Sequence, residues 1–596
     1  MRNDPGPTDG RSWGLALGCA ALGGLGLFAH ARSFYPFFAD DSFISLQYSR
    51  RLLDGAGLTF ADGEWVEGYS NLLWVLLVAA GGALGMDLVD AARMFGFLGM
   101  FAAIAVLAVR FWDENGVSTA AIAGFLACSG SMAVWAIGGL EQGLLAGLLA
   151  VAFASSWSLL RPSPSALDIG VPGAALALVC ITRPDGPLFA VALAGGLMWA
   201  RRDRASLGIV GRLAVLPAVF VVLQLGFRLW YYGEILPNTA NVKLGLGIGG
   251  GLQWMAGGAL GHLALVVAAG LGLAAWTDDG ARRRLQLVLP ALVCWTIYVI
   301  AIGGDIFPAR RHLVPLIVLL AFPVGEGFRW LAQRSRLSAW GGCLALVMAH
   351  GWMQDGDAEN RRAVRERWEW DCASIGNLLS QSFGADEPLL AAGAAGCMPY
   401  FSGLNTIDLW GLNDRYLATH PLPGKKGRLG HHMGDLTYVL DREPDLLQFG
   451  GAGGDRSLKS AMGRQFALDP RFKKHYRPVT FQGRDPLRFQ AHLWVRLDGL
   501  VGVQRTPGRI EVPAFLLGNR GHTVARLDRD GRLGIEVTPR RPAQLLGLQV
   551  PVPEQWQVEV QGTGGDVEAR LGGDGVLGLR ATSGAAFVHR VVLTRN

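Results

Sequence analysis

The sequence predicts a polytopic α-helical membrane protein that continues into a C-terminal aqueous region. Its 596 residues are 51% hydrophobic and only 17% charged, whereas soluble domains carry about a quarter charged residues. The apolar runs cluster before residue 354, and most of the charge lies beyond it. Arginine clusters separate the apolar runs, as expected for the cytoplasmic loops of membrane proteins. Membrane topology therefore explains the net charge of +6, and nucleic acid is not an expected partner.

The membrane half is predicted to occupy residues 1–353. The first apolar run, Trp13–His30, is followed by bulky aromatic residues, which favours a membrane helix over a cleaved signal peptide. Arg-rich joints are expected in the cytoplasm, which places residues 354–596 outside. A cytoplasmic N-terminus then requires an odd number of spans, so about eleven are predicted, with 71–86 or 168–182 half-inserted or fused with a neighbour. The candidate runs are 13–31, 71–86, 93–112, 119–138, 141–160, 168–182, 184–200, 207–224, 253–276, 286–303, 312–330 and 338–353.

A long polar loop, residues 32–71, is predicted on the outer side between the first two apolar runs. Its apolar spacing predicts a short amphipathic helix lying at the membrane interface. Asp40 and Asp41 stand at the N-terminus of that helix, where the helix dipole favours carboxylates. An isolated aspartate pair is most simply an N-cap on a solvated helix. Three more polar residues close the same loop where it re-enters the membrane: Glu67, Tyr69 and Asn71.

Further polar residues lie at the outer ends of the apolar runs, namely Glu141, Arg183, Asp185, Asn238, Lys243, Asp305, Arg310, Arg311 and His312. Ionisable groups at membrane depth are costly and usually mark function, although charges at helix ends also snorkel to the interface. Lys243 is the only lysine in the first 424 residues. A compact ammonium group suits a point charge on a phosphate, so Lys243 is predicted to bind one, with a helix-flanking cation as the alternative. This mixture of carboxylates and cations predicts an extracytoplasmic pocket for a phosphate-linked group presented from the bilayer.

The aqueous half is predicted to contain a mixed α/β domain over residues 354–500 and a small β-sandwich over residues 501–596. A helix is expected at Ser374–Phe383, and buried strands are expected at Pro388–Ala392 and Asp445–Phe449. Groups able to bind a sugar fall in two loops, although an ordinary turn and an exposed loop are the alternatives: Asp408, Trp410, Asn413, Asp414, His431 and His432. Cys372 and Cys397 could pair in an oxidising compartment, and the sequence leaves this open.

A set of segments, in chain order, resembles the GT-C glycosyltransferases, and most closely the mycobacterial terminal β-(1→2)-arabinofuranosyltransferase family. In the membrane half these are FADDSFISLQYSRRLLDGAGLTF, EWVEGYSNLLW, GGLEQGL, ITRPDGPL, YYGEILPNTANVK and GGDIFPARRHLVPL; in the aqueous half they are GCMPYFSGLNTIDLWGLNDRYLA and GHHMGDLTYVLDREPDLLQFGG. The resemblance covers most of residues 35–450, and nothing beyond about residue 500 is matched. It implies a GT-C type fold, a decaprenyl-phosphoryl-arabinofuranose donor and a catalytic carboxylate in the first periplasmic loop, at Asp40 and Asp41.

The expected function is therefore transfer of a sugar, D-arabinofuranose, from a polyprenyl phosphate to a cell-envelope polysaccharide, lipoglycan or pilin at the bacterial plasma membrane. One aspartate of the pair is expected to act as general base and the other to orient the acceptor or hold Mg²⁺ or Mn²⁺. Lys243, Arg310, Arg311 and His312 are expected to neutralise the departing phosphate. The remaining polar residues named above are expected to bind substrate.

Two alternatives remain at this point. A transferase of the same fold could use a polyprenyl-phosphate-linked mannose, ribose or aminoarabinose, because no residue pattern distinguishes these sugars. A flippase or transporter of lipid-linked sugars is a different class, and it is expected to show inverted repeats and charges at the bilayer midplane. The sequence shows no such repeat, and its polar groups lie at the outer edge. A third class, a membrane-anchored glycan-binding or assembly protein, is disfavoured because an anchor needs one span rather than eleven and has no need of buried charge.

Overall fold

The computed structural model describes residues 6, 7, 9–243, 247–422, 433–484, 487–517, 524–545, 548, 555–572 and 576–595. The chain divides into two compact units. The first unit comprises Met1–Leu58 and Tyr69–Arg367, and the second comprises Thr59–Gly68 and Trp368–Asn596. The division into domains at residues 353 and 500 stays a prediction.

The first unit is helical, and its helices follow the apolar runs of the sequence. In chain order they are α1 (Gly10–Arg32), α2 (Asp40–Leu53), α3 (Leu72–Ala83), α4 (Leu88–Arg110), α5 (Val117–Cys128), α6 (Gly130–Ile137), α7 (Gln142–Ser155), α8 (Ala166–Thr182), α9 (Pro187–Arg201), α10 (Ala205–Tyr231), α11 (Asn238–Lys243), α12 (Ile248–Gly261), α13 (Leu263–Ala274), α14 (Asp279–Ala301), α15 (Leu313–Ala332), α16 (Arg336–Gly356) and α17 (Ala358–Ala363). Short 3₁₀ turns occupy Ser156–Leu160, Ala275–Thr277 and Pro308–Arg310.

Several of these helices are long and apolar enough to cross a membrane. Among the described residues six meet that criterion: α1, α4, α7 with the 3₁₀ turn that follows it, α10, α14 and α15. The pairs α5–α6 and α12–α13 are bent by 60° and 84° and raise the number to eight if each pair is one span. Helices α3, α8 and α9 are apolar but shorter. The polytopic helical architecture is confirmed, and the count of eleven spans stays a prediction.

Helices α1 and α4 run antiparallel, which bears on the short helix between them. The Gly6 N–H donates to Trp112 O at 3.0 Å, so the start of α1 lies near the end of α4. The Arg93 guanidinium donates to Pro36 O at 3.4 Å, so the end of α1 lies near the start of α4. The chain between α1 and α4, which contains α2 and α3, therefore begins and ends on the same side of the membrane. This favours 71–86 over 168–182 as the half-inserted run, because a 12-residue helix is about 18 Å long and the hydrocarbon core is about 30 Å thick.

Helices α4 and α7 pack backbone against backbone through glycines. A Cβ atom built on Gly143 would overlap the backbone of Gly96, and one built on Gly99 would overlap the backbone of Gly143. A Cβ on Gly147 would lie 2.9 Å from Gly99 O. Small residues at such crossings let membrane helices approach closely, which supplies van der Waals contact where lipid offers no hydrophobic driving force. Because α7 begins at Gln142, this crossing fixes the position of the residues just before it.

The second unit mixes helices and strands. Its helices are α18 (Trp368–Phe383), α19 (Cys397–Ser402), α20 (Leu436–Asp441), α21 (Ala461–Leu468) and α22 (Pro470–His475). Its strands are β1 (Leu390–Ala392), β2 (Thr406–Asp408), β3 (Leu446–Gln448), β4 (Tyr476–Gly483), β5 (Phe489–Arg496), β6 (Gln504–Thr506), β7 (Arg509–Pro513), β8 (Val524–Leu527), β9 (Leu533–Val537), β10 (Ala543–Leu545), β11 (Trp556–Gly564), β12 (Val567–Leu571), β13 (Leu577–Ala581) and β14 (Ala586–Arg595).

The larger sheet of this unit has the strand order β2-β1-β3-β5-β4-β8-β9-β14-β7-β6, with β11 also paired to β14. Strand β1 lies parallel to β2 and β3, with Ala391 opposite both Ile407 and Leu447. A second, antiparallel sheet has the order β10-β13-β12. The predicted strands around β1 and β3 and the C-terminal β region are confirmed. The predicted sandwich and the boundary at residue 500 stay predictions, although strands from both sides of that residue belong to the larger sheet.

A disulfide braces the second unit. Cys372 in α18 and Cys397 at the start of α19 are bonded, with their Cα atoms 5.8 Å apart. The sequence left this pairing open. It ties the helix that precedes β1 to the helix that follows it.

Candidate functional site

The loop Gly138–Glu141, between α6 and α7, is the centre of the candidate site in the first unit. The Gly138 carbonyl accepts from the Ala39 N–H at 3.2 Å and from the Ser42 hydroxyl at 2.7 Å. The Gly139 carbonyl accepts from the Trp74 indole N–H at 3.0 Å. These bonds hold the starts of α2 and α3 against the same loop. Gly139 has a φ of +82° and packs directly on the Phe38 ring, so only glycine fits there without strain.

Asp40 and Asp41 are the first two residues of α2, as the sequence predicted. Both are half-buried. The N-cap of the helix is Ala39, which has no capping side chain, so neither aspartate is the N-cap. Carboxylates in the first turn are stabilised by the positive end of the helix dipole. The two aspartates therefore stand at the end of α2 that is bonded to the Gly138–Glu141 loop.

A buried polar network extends from the other end of this loop. Glu141 is 2% exposed and accepts from the Asn71 amide at 2.8 Å and from the Arg183 guanidinium at 2.6 Å. Arg183 also forms a two-point interaction with Asp185, at 2.8 and 2.7 Å. Ser45 of α2 donates to Asn71 at 3.1 Å. The structure thus unites Asn71, Glu141, Arg183 and Asp185, which the sequence predicted from separate segments.

The two carboxylates of this network lie in loops outside the helices, and their pKa values move in the same direction. Burial acts to raise the pKa of Glu141, but the charges of Arg183 and Arg311 and the Asn71 hydrogen bond outweigh it, so the pKa is lowered. Burial likewise acts to raise the pKa of Asp185, and Arg183 and His312 reverse the effect. Nearby cations favour the ionised form of a carboxylate even where water is excluded. The network is therefore a charged one.

A second cluster lies at the loop between α14 and α15. The Arg311 guanidinium donates to Asp305 at 2.8 Å and lies 4.3 Å from the centre of the Phe307 ring. His312 Nε2 is 3.8 Å from the same carboxylate. Arg310 points to a different partner, Asp357, at 2.8 Å. The charges of Arg311 and His312 act on Glu141 and Asp185, so this cluster and the buried network form one electrostatic unit.

Tyrosines position the remaining predicted residues of the first unit. Tyr69 is buried, with its ring 4.8 Å from Tyr48 and its hydroxyl 3.1 Å from that of Tyr232. The Tyr232 hydroxyl also donates to Leu58 O at 2.8 Å. Asn238 is buried at the start of α11. Lys243 ends α11, and its side chain lies outside the described part of the chain.

The predicted sugar-binding residues of the second unit brace one loop. Asp408 is 1% exposed and accepts from the backbone N–H groups of Trp410 and Asn413 at 2.9 Å and from the Asn413 amide at 3.0 Å. Burial raises the pKa of Asp408 to about 6, because the bonds it accepts are uncharged. Asp414, also 1% exposed, accepts from Leu417 N at 2.8 Å and from the Tyr438 hydroxyl at 2.9 Å. Their predicted role in sugar binding stays a prediction.

Three residues singled out from the sequence remain: Glu67, His431 and His432. Glu67 is 5% exposed and falls in the short segment Thr59–Gly68, which belongs to the second unit and not to the unit that holds Asn71. His431 and His432 lie outside the described residues. Within the described part of the chain, no three His, Cys, Asp or Glu side chains converge as a metal site. The divalent cation stays a prediction.

Comparison with known proteins follows the sequence-based expectation. The terminal β-(1→2)-arabinofuranosyltransferase of Corynebacterium glutamicum is 31% identical over 336 residues, which are 48% of this chain and 47% of that protein. The protein of the same name from Mycobacterium tuberculosis is 28% identical over 338 residues, which are 48% of this chain and 52% of that protein. The predicted resemblance is confirmed. The chain spans about half the length of the curated relatives it matches.

One family model and several solved structures also match. The family model is a domain of unknown function (DUF8728), and it covers residues 360–497. ArnT from Cupriavidus metallidurans bound to undecaprenyl phosphate has a TM-score of 0.46 at 14% identity, over 66% of this chain and 86% of that one. The arabinofuranosyltransferase AftD from Mycobacteria has a TM-score of 0.43 at 12% identity, over 100% of this chain and 60% of that one.

Some residues of the site carried no sequence signal strong enough to single them out. Ser42 looked like one serine among several in α2, yet it bonds to the Gly138–Glu141 loop. Tyr298 lies within the apolar helix α14 and is one of the groups that lower the pKa of Asp185. Tyr232 belongs to the segment YYGEILPNTANVK, in which the sequence assigns it no role. A polar hydroxyl inside or at the end of an apolar helix was the available signal, because such a group needs a partner when buried.

Proposed function

We propose that this multi-pass membrane protein is a glycosyltransferase that moves a furanose, D-arabinofuranose, from a polyprenyl phosphate to an extracytoplasmic glycan or glycoprotein. One observation carries the proposal: the Gly138–Glu141 loop joins the α2 end that bears Asp40 and Asp41 to a buried charged network. Buried ionised groups are costly in a membrane protein and mark function by default. The two arabinofuranosyltransferase relatives supply the reaction class.

In this proposal Asp41, with Asp40 as the alternative, is the general base toward the acceptor hydroxyl. A base must reach that proton at about 3 Å, and its contribution to the rate is about 10²–10⁴-fold. The positive end of the α2 dipole lies at the pair. The remaining aspartate orients the acceptor. Glu67, Tyr69, Asn71 and the network of Glu141, Arg183 and Asp185 are proposed to contact the sugar or shape its site.

Arg310, Arg311, His312 and Lys243 are proposed to neutralise the departing phosphate. Asn238, at the start of α11, is proposed to bind the same group. One N–H of Arg311 donates to Asp305, and a guanidinium carries five N–H donors. Charge stabilisation of this kind in a site of low dielectric constant is a large contribution to catalysis.

A divalent cation, Mg²⁺ or Mn²⁺, is proposed as a partner of Asp40 and Asp41. Two carboxylates at one helix terminus provide hard oxygen ligands, which suit such a cation when a substrate phosphate completes its shell. When bound, the cation would neutralise phosphate charge. The second unit is proposed to lie outside the cytoplasm, and the Cys372–Cys397 disulfide supports this because disulfides persist in oxidising compartments.

The test is a transfer assay with the purified full chain in detergent. Radiolabelled arabinofuranosyl, ribosyl and mannosyl polyprenyl phosphates are offered with a synthetic arabinan acceptor. We expect a glycosidic product from the arabinofuranosyl donor, and loss of at least about 10²-fold in rate for Asp41→Asn or Asp40→Asn. Asp54→Asn is the matched control, because Asp54 is an exposed residue at the opposite end of α2.

The assay also separates the proposal from its rivals. A flippase needs a membrane with two sides, so it gives no product in detergent. Product from a different donor would correct the sugar and keep the reaction class. If both aspartate variants retained more than about a tenth of the wild-type rate, the assignment of the general base would be wrong.

A further inference from the structure

The segment Thr59–Gly68 is held by the second unit, whereas the chain on either side of it belongs to the first. Two of its backbone groups are bound by side chains of that unit. The Asp62 N–H donates to Asn405 Oδ1 at 3.0 Å. The Arg415 guanidinium donates to Trp65 O at 3.2 Å. The segment is therefore anchored through its own backbone and not only through exposed side chains.

Arg442 supplies a third anchor. Its Nη1 atom is 2.5 Å from Glu64 Oε1, 3.0 Å from the Tyr438 hydroxyl and 3.4 Å from Asp414 Oδ2. The side chains of Arg442 and Glu64 are only 31% and 25% exposed. One guanidinium thus bridges a carboxylate of the segment to a carboxylate of the second unit. Partly desolvated charge-assisted bonds of this kind are stronger than those on an open surface.

The residues of the second unit that contact Arg442 are themselves held by further bonds. The Tyr438 hydroxyl donates to Asp414 at 2.9 Å, and Asp414 also caps the turn at Leu417. The preceding turn is closed by the three bonds that Asp408 accepts. Tyr438 stacks on Tyr416 with ring centres 4.3 Å apart. The groups that receive Arg442 are therefore fixed by the fold of the second unit.

We propose that Arg442 is a positioning residue, which clasps the segment Thr59–Gly68 and thereby sets the place of the first extracytoplasmic loop during transfer. The inference rests on the proposed function. Gly68 precedes Tyr69 directly, and Asn71, which bonds to Glu141 at 2.8 Å, follows three residues later. Three residues span at most about 10 Å, so movement of the segment is transmitted to that end of the network.

The first experiment measures hydrogen exchange in the full chain, without reference to activity. Arg442→Gln and Glu64→Gln should each speed exchange of the amides in Thr59–Gly68, with the Asp62 amide as the most informative one. Arg471→Gln is the matched control, because Arg471 bridges two aspartates on the exposed surface of the same unit. Unchanged exchange in both variants would overturn the clasp. Glu64→Gln leaves the contacts of Arg442 with Tyr438 and Asp414 in place, so it guards against misfolding of the second unit.

The second experiment is kinetic. Arg442→Gln should lower kcat about ten- to a hundredfold, the range expected when reacting groups are misplaced by about 1 Å, and leave the KM for the donor within about twofold. Arg442→Lys should restore part of the loss because it keeps the charge. Glu64→Gln combined with Arg442→Gln should be no slower than the slower single variant. Unchanged kcat in the single variants, with faster exchange, would overturn the positioning role. A wild-type chain without transfer activity would overturn the proposed function and the positioning role together, and exchange would still decide the clasp.

Discussion

Each unit of the molecule buries carboxylates, and Asp408 of the second unit is held by different chemistry from Glu141 and Asp185 of the first. In the first unit Glu141 and Asp185 share the guanidinium of Arg183, and cations lower their pKa values although both side chains are buried. In the second unit Asp408 accepts bonds from amides only, and burial raises its pKa to about 6. Burial alone therefore does not identify a functional carboxylate.

The difference lies in what each carboxylate does for the fold. Asp408 closes a turn, a task that a neutral acid or an amide can partly perform. Glu141 and Asp185 carry negative charge that must be matched by Arg183 and Arg311, so removing one partner exposes an uncompensated charge to a medium that cannot solvate it. Closing a loop with buried charges costs more free energy than closing it with neutral groups. In membrane proteins such buried charges usually mark a functional site.

The largest expected effect is that of removing the central cation. Arg183→Ala should destabilise the first unit by about 3–5 kcal/mol, because it leaves Glu141 and Asp185 buried without their shared partner. Thermal unfolding of the purified chain in detergent measures the loss. Arg161→Ala is the control, since Arg161 is largely exposed and pairs with Asp168 at 3.4 Å; its effect should stay below about 1 kcal/mol. Equal losses in the two variants would show that the buried network adds no more stability than an exposed ion pair.

The next effect is a pH dependence specific to Asp408. Its folded-state pKa of about 6 lies above the ordinary 3.8, so between these values the unfolded chain loses its proton first. Stability should therefore fall as pH rises from 4 to 6, by roughly 3 kcal/mol in total at about 1.4 kcal/mol for each pH unit. Asp408→Asn should lack this fall. Hydrogen exchange of the second unit at several pH values measures the difference between the two proteins, and identical profiles would contradict the assigned pKa.

The smallest effect concerns a single neutral hydrogen bond at the edge of the network. Ser45→Ala removes the donor to Asn71, and we expect a loss of about 1 kcal/mol in the same thermal assay, with a small decrease in transfer rate. Ser33→Ala is the control, because the Ser33 hydroxyl bonds to His30 O on the exposed surface. A loss from Ser45→Ala as large as that from Arg183→Ala would mean that the network depends on its geometry more than on its charge.

Much of the fold could be predicted from composition and periodicity. Apolar runs located the membrane helices, because a chain in hydrocarbon must satisfy its backbone hydrogen bonds internally. The start of α2 at Asp40 followed from the amphipathic spacing. The short strands β1 and β3 followed from buried apolar residues. What could not be predicted depends on contacts distant in sequence. The contacts between α1 and α4 were needed to judge whether residues 71–86 cross the membrane.

The candidate site shows the same limit. Each of Asn71, Glu141, Arg183 and Asp185 could be singled out, because a polar group beside an apolar run is conspicuous, but their mutual bonds could not be. The assignment of Glu67 to the same group as Asn71 rested on four residues of separation, and the structure places the two in different units. Sequence proximity is a poor guide where a loop passes from one unit to the other.

The glycine crossing of α4 and α7 has a consequence for how the protein tolerates change. Gly96, Gly99 and Gly143 leave no space for even a methyl group, although none of them carries a functional side chain. A saturation scan of the gene should show a narrow line of intolerant codons running into the membrane from Glu141, with freely variable lipid-facing positions on both sides. These positions would be intolerant because of helix packing, although the pattern resembles that of a second catalytic site.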